Sequence, residues 1–240
     1  MGSPDLGLPT TREYNRVLED EARFAMARVR LEDVQVLQYF MQNACFNYGD
    51  FTLSSGRRSR YYYQGKRATF RPMMARIIGD AVLDLIEEVD AEAIGGLEIG
   101  ANPIADAVGA ASLTGRKEIP VFIIRKEQKA HGTRERVPEA SLDDWNEHLL
   151  KPGRRVAIVD DVITTGGSIE TAIEVAEGLG CEVVIVVALV ERHEGGGEVL
   201  RQRGYNFQRL FYTDDEGRLF IDEAFQRRVA GAAPQGVLRG

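Results

Sequence analysis

The chain has 240 residues, which suits one α/β domain with decorations and a sizeable buried core. Its 37 acidic and 30 basic residues give a net charge of −7, which argues against general binding to nucleic acids or anionic membranes. No apolar run is long enough for a membrane span, and the start lacks a signal peptide's basic and apolar regions. Cys45 and Cys181 have no metal-ligand spacing and lie in apolar context. We therefore expect a soluble cytoplasmic protein with no nucleic-acid or membrane partner.

The first part of the chain is predicted to be helical. Residues 11–30 mix charged and apolar positions as an amphipathic helix does, and residues 31–45 repeat the pattern. We assign residues 1–34 to a partly helical N-terminal extension and residues 35–240 to the main domain. The most regular helical pattern covers residues 72–88 and has a proline in its first turn.

Strand and helix patterns then alternate along the chain. Short apolar runs predict strands, and the segments that follow the first and third of them have apolar residues at helical spacing. Such alternation favours right-handed βαβ units, and so an α/β fold whose mainly parallel sheet is flanked by helices. The predicted strands cover residues 93–99, 121–124, 156–159 and 183–190.

The turn after the third of these strands predicts a ligand site. Asp160 and Asp161 follow the apolar run, and the chain then turns through two threonines and two glycines into a helix that we expect Ser168 to cap. Glycines and a helix N-terminus favour a bound phosphate. The carboxylates would repel that phosphate unless they hold Mg²⁺ or accept hydrogen bonds from sugar hydroxyls. A phosphorylated sugar with a metal satisfies both demands, whereas the alternative is an ordinary turn with a solvated carboxylate pair.

The segment from Asp160 to Ser168 resembles the phosphoribosyl-pyrophosphate (PRPP) signature of the type I phosphoribosyltransferases. Three further stretches are similar to motifs of the orotate phosphoribosyltransferases within that family. They are FTLSSGRRSRYYY at residues 51–63, IRKEQKAHGTR at residues 124–134 and VERH at residues 190–193. The resemblance covers about residues 35–215 in the family's order. It implies a type I phosphoribosyltransferase-like fold with an N-terminal hood.

The resemblance implies a PRPP site with Mg²⁺ as cofactor, bound mainly through PRPP and water rather than by a dedicated set of protein ligands. Asp160 and Asp161 would hold the ribose hydroxyls, and residues 164–168 would surround the 5′-phosphate. The implied PRPP-binding residues are Lys126, Asp160, Asp161, Val162, Ile163, Thr164, Thr165, Gly166, Gly167 and Ser168.

The charged loop at residues 125–131 is the implied catalytic loop. Displacement of pyrophosphate from C1 of the sugar passes through a cationic, oxocarbenium-like state, and preorganised positive charge stabilises such a leaving group. Charge-rich loops are more often solvated surface, so composition alone would not decide this. The implied catalytic residues are Arg125, Lys129, His131 and Asp161. In the family such loops reach the neighbouring subunit's site, which implies a homodimer with shared active sites. Arg125, Lys129 and His131 would act in the neighbouring site, whereas Lys126 would serve its own.

The long polar segment at residues 132–150 is predicted to be a lid that closes over substrate. The distance along the chain from the catalytic loop to Asp160 is longer than usual in the family. We expect an extra turn of helix around residues 142–149 to absorb the difference.

For the second substrate the resemblance implies orotate, bound by Tyr62, Tyr63, Thr164 and Arg192. Packing within a strand is the alternative role for the two tyrosines. Ser54 and Gly100 stand where many family members have lysine. The sequence therefore predicts an Mg-dependent transfer of phosphoribose from PRPP to orotate, giving orotidine 5′-monophosphate and pyrophosphate. A phosphoribosyltransferase for another base, or a PRPP-binding regulator, is the alternative.

Overall fold

The computed structural model describes residues 29–52, 58–113, 117–127, 136–137, 142–143 and 147–231. The helix predicted over residues 11–30 lies outside this part except for its last two residues, as do Lys129 and His131. The helices are α1 (Leu31–Ala44), α2 (Lys66–Thr69), α3 (Pro72–Glu87), α4 (Asn102–Ser112), α5 (Gly167–Gly178), α6 (Gly196–Gln202) and α7 (Glu223–Gly231). The strands are β1 (Phe46–Thr52), β2 (Arg58–Tyr63), β3 (Ala93–Leu97), β4 (Val121–Ile124), β5 (Leu142–Asp143), β6 (Glu147–His148), β7 (Arg155–Ile163), β8 (Glu182–Glu191), β9 (Phe207–Thr213) and β10 (Leu219–Ile221).

A six-stranded sheet in the order β10-β9-β8-β7-β3-β4 forms the centre of the molecule. All its pairings are parallel except that of β9 with β10. The predicted α/β class, with a mainly parallel sheet flanked by helices, is confirmed. The strong helical pattern of residues 72–88 is also confirmed, since α3 starts at its proline and buries Ile77, Ala81 and Leu85.

The sheet has an apolar core on each face. Helices α1, α3 and α4 contribute to one cluster, which includes Leu37, Ile78 and Ile104. The other cluster packs α5 against the strands and includes Ile158 and Ile173. Strand β8 is buried on both faces from Ile185 onward, as its continuous apolar sequence predicts.

Strand β7 is longer than its apolar run, and the prediction that the strand ends at Val159 is wrong. Pairing with β8 continues to Ile163, which lies opposite Glu191. The pairing of β7 with β3 stops much earlier, at Ile158. Asp160 and Asp161 are therefore strand residues, held on one side by β8 and free of a strand neighbour on the other.

The hairpin of β1 and β2 stands apart from the main sheet and is attached to it by α1. Gln42 of α1 donates a hydrogen bond to the hydroxyl of Tyr48 in β1 at 2.6 Å and accepts one from the amide of Leu219 in β10 at 2.6 Å. These bonds fix the hairpin over the end of the sheet near β9 and β10.

The predicted turn of helix around residues 142–149 is wrong. Leu142–Asp143 and Glu147–His148 are instead two short antiparallel strands. The pairing of Leu142 with His148 and of Asp143 with Glu147 takes the place of that helix turn. Among the described helices, none has both the length and the apolar character needed to cross a membrane.

Candidate active site

A pair of carboxylates lies at the carboxyl end of β7, with Asp160 buried and Asp161 half-buried. Asp160 is 7% exposed, and its Oδ1 accepts a hydrogen bond from the amide of Asp161 at 2.9 Å. Burial raises the pKa of both carboxyls, more strongly for Asp160, whose pKa the neighbouring Asp161 raises further. Lys126 and Lys66 oppose these shifts, the first at Asp160 and the second at Asp161. Such a pair favours ligands that bring hydrogen-bond donors or positive charge.

Two glycines bring backbone close to this pair. A Cβ atom at Gly100 would lie 2.5 Å from Oδ1 of Asp160 and 2.5 Å from Oδ1 of Asp161. A Cβ atom at Gly65 would lie 2.6 Å from Oδ2 of Asp161. Since real Cβ atoms do not approach so closely, a side chain at either position would force a carboxylate to move. Gly100 and Gly65 therefore have a steric role beside the pair.

The turn between β7 and α5 presents free backbone amides. Gly166 has φ of +100°, which places the chain in the left-handed region at the start of α5. Within the described ranges, the amides of Thr165, Gly166, Gly167 and Ser168 have no hydrogen-bond acceptor. Free amides at a helix N-terminus form an anion site, so this turn can hold a phosphate.

The prediction that Ser168 caps α5 is wrong. The helix begins at Gly167 with Gly166 as the capping residue, and no side chain caps it. Ser168 lies in the first turn and is exposed. Because the left-handed glycine starts the helix one residue earlier, the serine hydroxyl is directed to solvent or to a ligand rather than to the helix backbone.

A second glycine-rich turn, at residues 195–197, packs against the turn between β7 and α5. We call the latter turn, residues 164–168, the phosphate turn. The amide of Gly196 donates to the carbonyl of Thr164 at 2.9 Å, and a Cβ atom on Gly196 would collide with that carbonyl. The amide of Gly197 donates to Oε1 of Glu191 at 3.0 Å. Oε2 of the same carboxylate accepts from Arg209 on β9 at 2.5 Å. The phosphate turn is therefore braced by the strand β8 next to it.

Positive charge comes to the carboxylates from the end of β4. The amide of Lys126 donates to Oε1 of Glu98 at 3.0 Å, which ties the residues after β4 to the turn after β3. Arg136 donates to the carbonyl of Arg125 at 3.2 Å and to that of Lys126 at 2.9 Å. The chain is thus held at both sides of residues 128–135, where Lys129 and His131 lie outside the described ranges. Arg125 and Lys126 directly follow β4, and Lys126 lies close enough to Asp160 to oppose the rise in its pKa.

Arg192 follows β8 and is held by the hairpin. Its amide donates to the carbonyl of Ile163 at 2.9 Å, so it is fixed to the last residue of β7. Its guanidinium donates to the hydroxyl of Tyr61 at 3.2 Å and to that of Ser59 at 3.1 Å. Glu194 lies 3.4 Å from the guanidinium Nε. A buried arginine with its orientation fixed in this way suits recognition of a carboxylate.

A cavity of about 250 Å³ opens beside Arg192. Its lining combines positive and negative side chains from the hairpin, the turn after β8 and the turn after β9. The residues that line it are Arg58, Ser59, Arg60, Tyr61, Arg192, His193, Glu194, Asp214, Asp215 and Glu216. Its size fits a small polar molecule.

The two tyrosines predicted to bind orotate lie on opposite faces of β2. Tyr62 is 44% exposed and contacts Phe51, with 5.8 Å between ring centroids. Tyr63 is buried and points to Asp161 rather than to Arg192. The structure brings neither of them to Arg192. The tyrosine that contacts it is Tyr61, which sequence reasoning missed although the alternation of β2 puts Ser59 and Tyr61 on one face.

Comparison with known proteins decides the family. The model of the phosphoribosyl transferase domain matches residues 72–203. The orotate phosphoribosyltransferase of Aquifex aeolicus is 42% identical over 161 residues, which cover 67% of this chain and 83% of that protein. The chain belongs to the orotate phosphoribosyltransferase family.

Other members of the orotate phosphoribosyltransferase family agree in sequence and in fold. The Synechocystis enzyme is 39% identical over 193 residues, covering 79% of this chain and 89% of its own. The Mycobacterium tuberculosis H37Rv enzyme in complex with Fe(III) dicitrate has a TM-score of 0.64 at 32% identity, covering 77% of this chain and 99% of that one. A structure of the same enzyme with PRPP has a TM-score of 0.58 at 28% identity, covering 74% and 94% of the two chains.

Proposed function

We propose that the protein transfers phosphoribose from PRPP to orotate, forming orotidine 5′-monophosphate and pyrophosphate in pyrimidine synthesis in the cytoplasm. The proposal rests on the arrangement of side chains and backbone groups at the end of β7. Strand β7 holds the carboxylates of Asp160 and Asp161, the turn that follows it presents free amides, and its last carbonyl accepts a hydrogen bond from the amide of Arg192. Sites for a sugar, a phosphate and an organic carboxylate are therefore all arranged around the carboxyl end of β7.

The carboxylate pair suits the ribose hydroxyls. Burial raises the pKa of Asp160 and of Asp161, and the neighbouring Asp161 raises that of Asp160 further, so the ionised pair gains from each hydrogen bond that a hydroxyl donates. Gly100 and Gly65 leave the carboxylates accessible where any side chain would displace them. The sugar ring is thereby fixed with its reacting carbon near Lys126 and Arg125.

The turn at residues 164–168 suits the 5′-phosphate. Four free amides and the N-terminus of α5 favour a dianion, and the hydroxyls of Thr164, Thr165 and Ser168 supply further donors. Val162 and Ile163 contribute backbone and packing, since Ile163 is buried and Val162 belongs to β7. The bracing by Gly196 keeps the amides in place before the ligand arrives.

Pyrophosphate is the leaving group, and the residues after β4 provide its positive surroundings. In our proposal Arg125, Lys129 and His131 neutralise the charge that develops on it, and Lys126 acts within its own subunit. In our proposal Mg²⁺ would be held mainly by oxygens of PRPP and by water, since it prefers oxygen ligands. When bound, Mg²⁺ neutralises part of the pyrophosphate charge. Arg125, Lys129 and His131 acting across a subunit boundary would make the active enzyme a homodimer.

Orotate is placed in the cavity beside Arg192, with its carboxylate on the guanidinium. Tyr61 and Ser59 hold that guanidinium from the hairpin. In our proposal Thr164, the first residue of the phosphate turn, also contacts orotate. Tyr62 and Tyr63 are the last two residues of β2, on opposite faces of the strand. In our proposal they support the base pocket through the hairpin rather than by direct contact with Arg192.

Titration calorimetry with PRPP and Mg²⁺ tests the donor site. Replacement of both Asp160 and Asp161 by alanine should abolish detectable PRPP binding while the circular dichroism spectrum stays unchanged. The matched control replaces Glu174 and Glu177, two exposed carboxylates on α5, and should leave binding intact. Equal PRPP affinity in the wild type and in the folded Asp160 and Asp161 double variant would contradict the assignment.

A further inference from the structure

Tyr63 carries a hydroxyl that the fold leaves without a partner. The residue is 7% exposed, and its Oη is buried with no hydrogen-bond partner in the described part of the chain. The ring itself is packed, since its centroid lies 5.1 Å from that of Phe46. A buried unpaired hydroxyl costs folding free energy that a phenylalanine would not. Packing alone therefore explains the ring of Tyr63 but not its oxygen.

The oxygen lies next to the carboxylate pair. Oη of Tyr63 is 3.1 Å, and Oδ2 of Asp161 is 2.6 Å, from the point where a Cβ atom of Gly65 would stand. The two oxygens therefore cannot be farther apart than the sum of these distances. Gly65 has no side chain to separate them.

The charges around this point keep the phenol protonated. Burial raises the pKa of Tyr63 well above its ordinary value, and Asp161 and Cys45 raise it further. The groups that face Asp161 are Asp160 on the same strand and Lys66 on α2, and Lys126 acts on Asp160. The hydroxyl is thus a hydrogen-bond donor close to a carboxylate.

We propose that Tyr63 is a positioning residue of the ribose site, whose hydroxyl donates to Asp161 and holds that carboxylate in the orientation that accepts the sugar hydroxyls. This inference rests on the proposed function and refines it. In this proposal Tyr63 acts at the donor sugar rather than against orotate. Phenylalanine at this position would keep the packing against Phe46 and remove only the hydrogen bond.

The variant Tyr63→Phe separates this role from packing. We expect kcat/KM for PRPP to fall about 10- to 100-fold, the usual range for loss of a hydrogen bond to a charged acceptor, with the KM for orotate nearly unchanged. Thermal unfolding should show equal or higher stability. The matched control is Tyr205→Phe, which removes a phenol hydroxyl bonded to Glu177 at 3.0 Å on the surface and should change neither constant.

The pH dependence and a double-mutant cycle show whether Tyr63 acts through Asp161. A hydrogen bond to the ionised form lowers a carboxyl pKa, so its loss in Tyr63→Phe should move the acid limb of PRPP binding to higher pH. In the background of Asp161→Asn the same change should have little further effect on PRPP binding.

A stabilised Tyr63→Phe protein with wild-type PRPP affinity and an unmoved acid limb would overturn the proposal for Tyr63 alone. Fully additive losses of Tyr63→Phe and Asp161→Asn would also overturn it. Wild-type protein that fails to bind PRPP would instead refute the proposed function, so the two failures are distinguishable.

Discussion

The guanidinium of Arg192 lies over the ring of Tyr61, with Cζ 4.5 Å from the ring centroid and Nε 3.2 Å from the hydroxyl oxygen. The same hydroxyl lies 2.9 Å from Oγ1 of Thr213 on β9. On another part of the ring, Gly217 approaches so closely that its Cβ atom would lie 2.6 Å from Cγ. Arg192 is therefore held by the hairpin, which in turn is held by the edge of the sheet. Its position is set before any substrate binds.

Arg192→Ala should affect orotate far more than PRPP. The variant removes a charge-assisted contact and leaves the orotate carboxylate in a desolvated pocket, which we expect to cost about 2–5 kcal/mol in kcat/KM for orotate. Steady-state kinetics with each substrate varied in turn measures the difference. The control is Arg201→Ala, which removes an exposed arginine that lies over Phe207. Equal losses for orotate and PRPP would refute the base-binding role of Arg192.

Gly100→Ala should weaken PRPP binding without unfolding the protein. The new Cβ atom would lie 2.5 Å from both carboxylates, which must move away from the sugar site. We expect the Kd for PRPP to rise about 10- to 100-fold, the cost of misplacing a binding group by a fraction of an ångström to one ångström. Gly178→Ala adds the same atom in open space on α5 and is the matched control. Calorimetry that gives both variants the same affinity would disprove the steric account of Gly100.

Asp160→Asn should stabilise the ligand-free protein at neutral and alkaline pH. The folded-state pKa of Asp160 is raised, so ionisation above the unfolded-state pKa favours the unfolded chain and lowers stability as pH rises towards the folded-state value. Asparagine removes that loss and can donate to Asp161. We expect a gain of about 1–3 kcal/mol at alkaline pH that shrinks towards zero in acid, measured by urea unfolding across pH. A gain that is the same at both ends of the pH range would contradict the buried-charge explanation.

A mixture of two inactive variants tests the shared active site. Lys129→Ala and Asp161→Ala subunits should together recover part of the activity, because a hybrid dimer has one site with both residues intact. Subunit exchange is followed by native mass spectrometry of differently tagged chains. If hybrid dimers form and no activity returns, the sites are not shared.

The sequence predicts the sheet, the phosphate turn and the strand-end charges because each depends on local patterns. Glycines followed by helical spacing are visible in the residues themselves, and the long helix from Pro72 begins where its proline requires. The end of β7 was not predictable, because Asp160 and Asp161 are polar and are held in the strand only by pairing with β8.

The contacts of the hairpin also depend on tertiary structure. The sequence has three successive tyrosines and does not indicate which of them contacts Arg192. The placement of the hairpin by α1 brings Tyr61 to this arginine. The close approach of Gly65 to Asp161 joins residues far apart in the chain, and no local pattern encodes it.

The most direct test of the account is a screen of bases with PRPP and Mg²⁺, read as release of pyrophosphate and as formation of the nucleotide product. The wild-type protein should release pyrophosphate with orotate and form orotidine 5′-monophosphate in equal amount, with uracil and purines turned over far more slowly. Preferential turnover of uracil or a purine, or PRPP binding without turnover of any base, would contradict it.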